Sequence, residues 1–235
     1  MKGMILKNWE TLALTQGHST AFCKSLGVPG KEQLLRQEGE KFIFSKTDKY
    51  AANKIYTRTL AGTPGKTAFV KEAWRADGQD EESLTANIAF MVGGPGTTIH
   101  LSSIQELNAF VQLWGDTYFD DQFGEMEKCW YLPANMPTDA ARIFLSMTGG
   151  RICRLQDVTD EECVDIGIQC WTREGKPSHY YIADVRGNKP ALPWGECPRT
   201  PRDALHKLWN KHVRDPKQKW RYNPWVQIIH FQRNT

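Results

Sequence analysis

No stretch of this 235-residue sequence approaches the roughly 18 consecutive apolar residues that a membrane-spanning helix needs, so no membrane partner is expected. Six cysteines are present, at positions 23, 129, 153, 163, 170 and 197, and no two of them form a C-x-x-C pair. Cys163 and Cys170 do not fit a structural zinc spacing, and His206 and His212 stand six apart, on different faces of any helix, so no bound metal is expected. The opening MKGMILKNWE lacks an apolar core of useful length, so no signal peptide is expected and the cysteines read as free thiols in a reducing cytoplasm. Basic residues are missing from one long block: between Asp77 and Glu127 there are ten acidic residues and no lysine or arginine.

The balancing cations lie elsewhere. From Arg199 to Thr235 nine basic residues face only Asp203 and Asp215, and the first 76 residues also lean basic, so a net charge of +3 conceals strong segregation. A cationic body with an anionic insertion suggests a nucleic-acid or phosphate surface on the body, and an insertion that either faces another partner or shields the cationic face. The 40 % apolar share, with nine tryptophans and seven tyrosines, is sufficient for a core. The length fits one domain of moderate size carrying a sizeable insertion.

Along the chain, ETLALTQG predicts a short helix closed by Gly17. Lys31 to Gln37 reads as another short helix, KFIF as a brief strand, and KTAFVKEAW as a strand. ADGQDEES and GGPGTT read as turn-rich breaks on either side of the insertion's first part. SSIQELNAFVQLW places Ile104, Leu107, Phe110, Val111 and Trp114 at helical spacing behind a serine cap. AARIFLSMTGGRICRLQDV suggests two strands either side of Gly149 and Gly150. TDEECVDIG supplies a cap at Thr159, early acids and a closing Gly167. RTPRDALHKLWNKHV has Thr200 as cap and Pro201 at the first helical position, and NPWVQIIHFQR reads as a final strand.

Few constellations carry chemistry. GTPGKT imitates the tail of a phosphate-binding loop, but Leu60 stands where the first glycine belongs and a strand follows, so it reads as a turn. The acidic pair Asp120 and Asp121 and the run Asp160 to Glu162 have no histidine nearby for acid–base work. In the C-terminal part Lys207, Lys211 and Arg214 interleave with Trp209 and then meet KQKWRYNPW. Cations beside Trp220 and Tyr222 could hold a phosphate while a base stacks on a ring, with Trp209 and Trp225 expected in the core. The densest polar stretch is TQGHSTAFCK, which crowds His18, Ser19, Thr20, Cys23 and Lys24.

Several segments together resemble one family. GTPGKTAFVKEAW is similar to the PGD-x-L-W-V-R-E-T-W segment of bacteriophage proteins carrying an ASCH domain, a relative of the RNA-binding PUA domain. NMPTDAARIFLSMTGGRICRLQDVTDEECVDIGI resembles their HMPR-x-A-x-R-I-x-L stretch running into R-L-Q-D-I-T-E-E-D-A-x-x-E-G-I. PRDALHKLWNKHV followed by KWRYNPWVQIIHFQR resembles their last helix and NPWV-x-x-I-x-F strand. The resemblance covers roughly residues 60 to 76 and 130 to 235. It implies an α+β fold: a PUA-like small β-barrel with flanking helices, built from residues 1–78 and 129–235, with residues 79–128 as an inserted acidic subdomain carrying one helix.

Some ASCH proteins, those resembling the N4-acetylcytidine amidohydrolases, use a lysine and a threonine from an early G-R-K-T-x-T-x-R motif and a glutamate before a later glycine. Laid on GHSTAFCK, the lysine position holds Ser19 and the threonine position Phe22, and Ile166 stands where the glutamate is expected. A shifted register would use Lys24, Thr20 and Asp165 instead. The expected function is therefore binding of nucleic acid, RNA more than DNA, or of a modified nucleotide, with no catalytic residues intact and no cofactor. Expected binding residues are His18, Ser19, Thr20, Lys24, Lys71, Trp74, Trp220 and Arg221, with Arg142 in a second tier. Two alternatives stand beside it: an inhibitor engaging a host protein through residues 79–128, and a residual amidohydrolase on N4-acylated cytidine or a nuclease. The expected location is the cytoplasm, that of the host cell if the protein is phage-encoded.

Overall fold

The computed structural model describes residues 2–46, 54–59, 63–120, 125–182 and 193–234. In chain order the elements are β1 (Lys2–Ile5), α1 (Asn8–Thr15), β2 (Ala21–Val28), β3 (Gln33–Glu38), β4 (Lys41–Lys46), β5 (Lys54–Thr59), β6 (Thr67–Lys71) and β7 (Trp74–Asp80). There follow β8 (Thr85–Phe90), β9 (Thr97–His100), α2 (Ile104–Trp114), β10 (Thr117–Asp120), β11 (Glu125–Lys128) and β12 (Phe144–Arg154). Last come α3 (Asp160–Asp165), β13 (Gln169–Arg173), β14 (Lys176–Tyr181), α4 (Pro201–His212) and β15 (Trp225–Asn234). The protein is mixed α+β, mostly sheet with four α-helices, and no closed barrel is found among the described residues.

The chain divides into two compact units: residues 1–11, 67–145 and 233–235 form the first, and residues 12–66 and 146–232 the second. In the first, β1 runs parallel to β6, β7, β8 and β9 form an antiparallel sheet, and β10 pairs with β11. Its core gathers Trp74, fully buried, with Phe69, Ile88, Phe90, Ile99, Leu107 and Met136. The α2 helix presents Phe110, Val111 and Trp114 to that core. Ser103 caps it by accepting the Glu106 N–H, and the Glu106 carboxylate accepts back from the Ser102 N–H at 2.7 Å. The whole of residues 79–128 lies inside this unit.

In the second unit β12, β15 and β2 lie side by side, with β15 antiparallel to β2 from Ala21 opposite His230 to Val28 opposite Trp225. The strands β3, β4 and β5 form a second antiparallel sheet, and β13 pairs with β14. Val28, Phe42 and Phe44 cluster with Leu26, Ile152 and Trp225, whose ring meets Phe44 edge-on at 5.2 Å. The helices α3 and α4 have the caps their sequences promise: Thr159 and Glu162 make a reciprocal capping box, and Thr200 accepts the Asp203 N–H at 3.1 Å ahead of Pro201. Trp209 is buried as expected, and its indole N–H donates to the Gln218 carbonyl at 2.7 Å.

Four local expectations are corrected. Residues 31–37 do not make a helix: Gln33–Glu38 is a strand, because Gly39 (φ +57°) turns the chain back and pairs it with β4, whose Phe42, Ile43 and Phe44 are all buried. ADGQDEES is not one break, since β7 runs on to Asp80, and only then does the Asp80 carboxylate form the turn by accepting the N–H of Glu82 at 2.9 Å. KTAFVKEAW is not a single strand, since Trp74 opens β7 after Glu72 and Ala73 interrupt the chain. The region around Gly149 and Gly150 is one eleven-residue strand instead of two. Gly150 marks the close approach of β15, where a Cβ would fall 2.6 Å from the Ile228 carbonyl oxygen.

Candidate nucleic-acid interface

The stretch TQGHSTAFCK folds as the end of α1, a tight loop and the start of β2. Gly17 adopts φ +74°, and the His18 N–H donates to the Ala13 carbonyl at 2.8 Å, which closes the helix. Ser19 is buried and its hydroxyl donates to the Ala21 carbonyl at 3.0 Å. The Thr20 N–H donates to the Asp165 carbonyl at 2.8 Å, and its own carbonyl accepts from the Phe231 N–H at 3.0 Å. Gly167, at φ +113°, sits so close below that a Cβ there would fall 2.6 Å from the Ala13 Cβ. The loop and the turn after α3, far apart in sequence, are thus built as one junction.

At the three positions that the resemblance singles out stand Ser19, Phe22 and Ile166. Phe22 is fully buried and stacks on Phe231 at 4.3 Å, and Ile166 is core. Ser19 spends its hydroxyl proton on a backbone carbonyl. His18 and Thr20 are exposed, and Lys24 is partly exposed with its ammonium 5.5 Å from the Phe22 ring centroid. Beside α3, Arg151 holds Glu162 through two contacts of 2.6 Å. Burial acts to raise the Glu162 carboxyl, but the Arg151 hydrogen bonds, the Thr159 N–H and the Arg151 charge outweigh it and leave it below the usual carboxylate range.

The C-terminal basic segment is positioned by the RLQD sequence. Arg154 stacks on the Trp225 ring at 4.2 Å and donates to the carbonyls of Gly30, Asn223 and Glu32. The Gln156 N–H donates to the Asn223 side chain at 2.8 Å, and the Gln156 amide donates to the Trp220 carbonyl at 2.9 Å. Asn223 turns in the left-handed region at φ +44°. These bonds explain why RLQD and NPW belong together: one fixes the turn from which the other starts. One face of Trp220 is occupied by His206, stacked at 5.0 Å, while Arg221 is exposed above the Tyr222 ring at 4.7 Å. Lys211, Arg214 and Lys217 are exposed along the same stretch of chain.

Three expected site residues belong to the first unit and have other duties there. Trp74 offers no face to a ligand: it is buried among Phe110, Trp114 and Tyr131, with ring centroids 5.3 to 6.2 Å away. Arg142 pairs with the fully buried Glu72 carboxylate at 2.7 Å, donates to the carbonyls of Pro95 and Gly93, and lies over Phe90. Lys71 donates to the Ala134 carbonyl at 3.0 Å. The other six, His18, Ser19, Thr20, Lys24, Trp220 and Arg221, belong to the second unit.

One feature of the second unit escaped sequence reasoning. CWTREGKPSHYY forms the β13–β14 hairpin around Glu174 (φ +53°) and Gly175 (φ +76°). The signal was available in the alternation of Gln169, Trp171 and Arg173 ahead of a glycine turn. The two units also differ in charge: the first has 7 lysines and arginines against 13 acids, the second 23 against 14. Among the described residues no group of three histidine, cysteine or acidic side chains gathers as a metal site, and no helix is long and apolar enough to cross a membrane. Asp121 of the acidic pair lies outside the described residues. Compared with family models, curated proteins and solved structures, the chain matches none. What fold and site define is a mixed α+β chain with an anionic and a cationic unit.

Proposed function

We propose that this protein is an ASCH/PUA-like binder of nucleic acid, RNA in preference to DNA, acting through its second unit and without turnover. The observation that carries the proposal is the net charge of +9 on that unit, against −6 on the first. A surface of that sign attracts phosphates and releases their counterions on binding. The junction of the early loop with the turn after α3 adds support, because it joins the two segments from which the resembled hydrolases draw their catalytic groups. With Ser19, Phe22 and Ile166 in those places, the junction lacks the lysine, threonine and glutamate that the resembled hydrolases use. The contacts assigned to this surface are His18, Thr20, Lys24 and Arg221, with the exposed edge of Trp220. The location that fits this reading is a cytoplasm, where nucleic acid and reduced thiols coexist.

Titration of labelled ten-nucleotide RNA and DNA between about 50 and 200 mM salt tests the proposal. Affinity should fall at least tenfold across that range, and Lys24→Ala with Arg221→Ala should weaken it further. No binding at the lowest salt refutes the proposal. Turnover of N4-acetylcytidine would refute the non-catalytic part alone.

A second reading is favoured by the first unit's charge: it would engage a basic host protein. Deleting residues 79–128 is a poor test, because it removes Ile88, Phe90, Ile99 and Leu107 from the core around Trp74. Glu81→Gln with Glu82→Gln removes two exposed charges and leaves that core intact. Unchanged host-protein capture by this variant counts against the reading.

A further inference from the structure

The β7–β8–β9 sheet carries on its outward face a cavity of about 440 Å³, lined by Asp77, Asn87, Ala89, Gly94, Thr97 and Thr98 among others. It lies wholly in the first unit, apart from the cationic unit to which nucleic-acid binding is assigned. Alternation makes it polar: Ile88 and Phe90 turn into the core, so Asn87 and Ala89 on the same strand face away from it. Both walls are braced. On one side a bulge between Ala76 and Gly78 leaves Asp77 without a partner in the ladder, a device that re-aims a side chain. The Asp77 carbonyl accepts from Lys128 Nζ at 2.8 Å, and one carboxylate oxygen sits 3.1 Å from the Arg75 guanidinium. On the other side Arg142 donates to the Gly93 and Pro95 carbonyls, each at 2.7 Å, and so clamps the loop that carries Gly94. Glu72, whose side chain is fully buried, holds Arg142 in turn. A buried ion pair is a poor source of net stability, and what it secures here is the position of the loop.

The lining keeps hydrogen-bonding capacity in reserve. The Asn87 side-chain carbonyl accepts from the Thr98 hydroxyl at 3.0 Å. Among the described residues the Asn87 amide nitrogen, the Thr97 hydroxyl and the second Asp77 carboxylate oxygen have no hydrogen-bond partner. This mixture selects the ligand. An anion is disfavoured, because Asp77 lines the cavity, every guanidinium nitrogen of Arg142 is engaged, and the unit carries −6. An apolar molecule would leave the carboxylate and the amide unpaired. A sugar hydroxyl both donates and accepts, so a ring bearing several serves carboxylate, amide and threonine at once. We propose that this cavity holds one sugar ring, bound through Asp77, Asn87 and Thr97. Its size fits, since small-molecule sites usually span roughly 300–1,000 Å³.

Titration of the isotope-labelled full chain with D-glucose, D-ribose and their methyl glycosides, followed by two-dimensional amide NMR, tests the inference. At least one sugar should shift the backbone amides of Gly94 and Gly96 and the Asn87 side-chain amide together and saturably. Asn87→Ala and Thr97→Val should each weaken that binding about two- to tenfold, the worth of one hydrogen bond. Their amide spectra away from the cavity should match wild type, which shows that the unit still folds. Equal affinity for the methyl glycoside assigns the ring to a longer glycan, and weaker affinity assigns it to a free sugar; both support the site. No shift with any of the four sugars overturns the inference. Sugar shifts that persist undiminished in both variants overturn it as well, since the ring then sits elsewhere. Saturation by ethanolamine or inorganic phosphate in place of the sugars has the same consequence, because the lining has then been assigned the wrong chemistry. None of these failures touches the nucleic-acid proposal, which concerns the other unit.

Discussion

Replacing Gly167 by alanine separates the two demands placed on the loop junction. The backbone at Gly167 has φ +113°, outside the regions where residues with a Cβ are comfortable, which costs about 1–3 kcal/mol. A Cβ there would also fall 2.6 Å from the Ala13 Cβ and 3.6 Å from the Ser19 Cβ. Neither neighbour is a flexible tip, so α1 or the loop must shift, adding the roughly 1–3 kcal/mol typical of overpacking. The expected total is about 2–6 kcal/mol. Gly175 provides the control: it has φ +76° and nothing within 4 Å of a built Cβ, so Gly175→Ala bears conformational strain alone. Denaturant unfolding followed by tryptophan fluorescence gives both values from the shift in midpoint at constant slope. Gly167→Ala should be the worse by at least about 1 kcal/mol. If the two variants are equally destabilised, the loop does not press on this turn and the junction has been misread. The shift should also disturb the Thr20 to Asp165 hydrogen bond, so amide exchange at Thr20 should accelerate in Gly167→Ala only.

Arg142→Met leaves the Glu72 carboxylate buried without its guanidinium and should cost about 3–5 kcal/mol, whereas Arg142→Met with Glu72→Leu should cost much less; denaturant midpoints of the three proteins decide it. Glu162 has a folded-state pKa below its unfolded value, so its stabilisation is complete above the unfolded carboxylate range and is lost as pH falls through the lower folded value. Glu162→Gln should therefore lower stability at neutral pH and flatten the acid limb of the stability profile, and parallel curves would contradict this. Burial pushes the Cys153 thiol up to about 11 and the Cys163 thiol up to about 12, while Cys170 is exposed. An aromatic disulfide reagent at pH 8 should label Cys170 readily and reach Cys153 and Cys163 only after denaturation, as peptide mass mapping would show.

The elements that could be read from the sequence are those whose signals are local. Ser103, Thr159 and Thr200 announce α2, α3 and α4 because a cap and the periodicity behind it lie within a few residues of each other. The misreadings have the opposite cause. The segment 31–37 reads locally as a short helix, and a neighbouring strand with buried residues on both faces overrides that. Gly150 looked like punctuation because the sequence shows a missing side chain and not the Ile228 carbonyl that requires it. Trp74 and Arg142 looked like ligand contacts because aromatic and cationic residues serve cores and ion pairs with the same chemistry that serves ligands. Only Glu72, seventy positions from Arg142, decides which.

The charge pattern was visible in the sequence, but its physical meaning changes with the fold. Taken as a block, ten acids without a lysine look like a surface built for a partner. In the structure several of them have local work: Asp80 forms a turn, Glu106 caps α2, and Asp77 and Glu127 both hold Arg75, at 3.1 and 3.2 Å. Such acids keep their charge while serving the unit that contains them, so their number overstates what is left for a partner. The second unit pairs charges as well, Arg36 with Glu38, Lys66 with Glu40 and Arg151 with Glu162, each at 2.6 Å. Lys207 and Lys219 do reach backbone carbonyls, of Glu196 and Asn210, yet a carbonyl does not cancel an ammonium charge. Local pairing therefore trims both surfaces, and the second unit's 23 lysines and arginines against 14 acids still leave it at +9. The larger residual charge, +9 against −6, is why the nucleic-acid reading ranks above the host-protein reading, although the sequence presents the two charge blocks with equal emphasis.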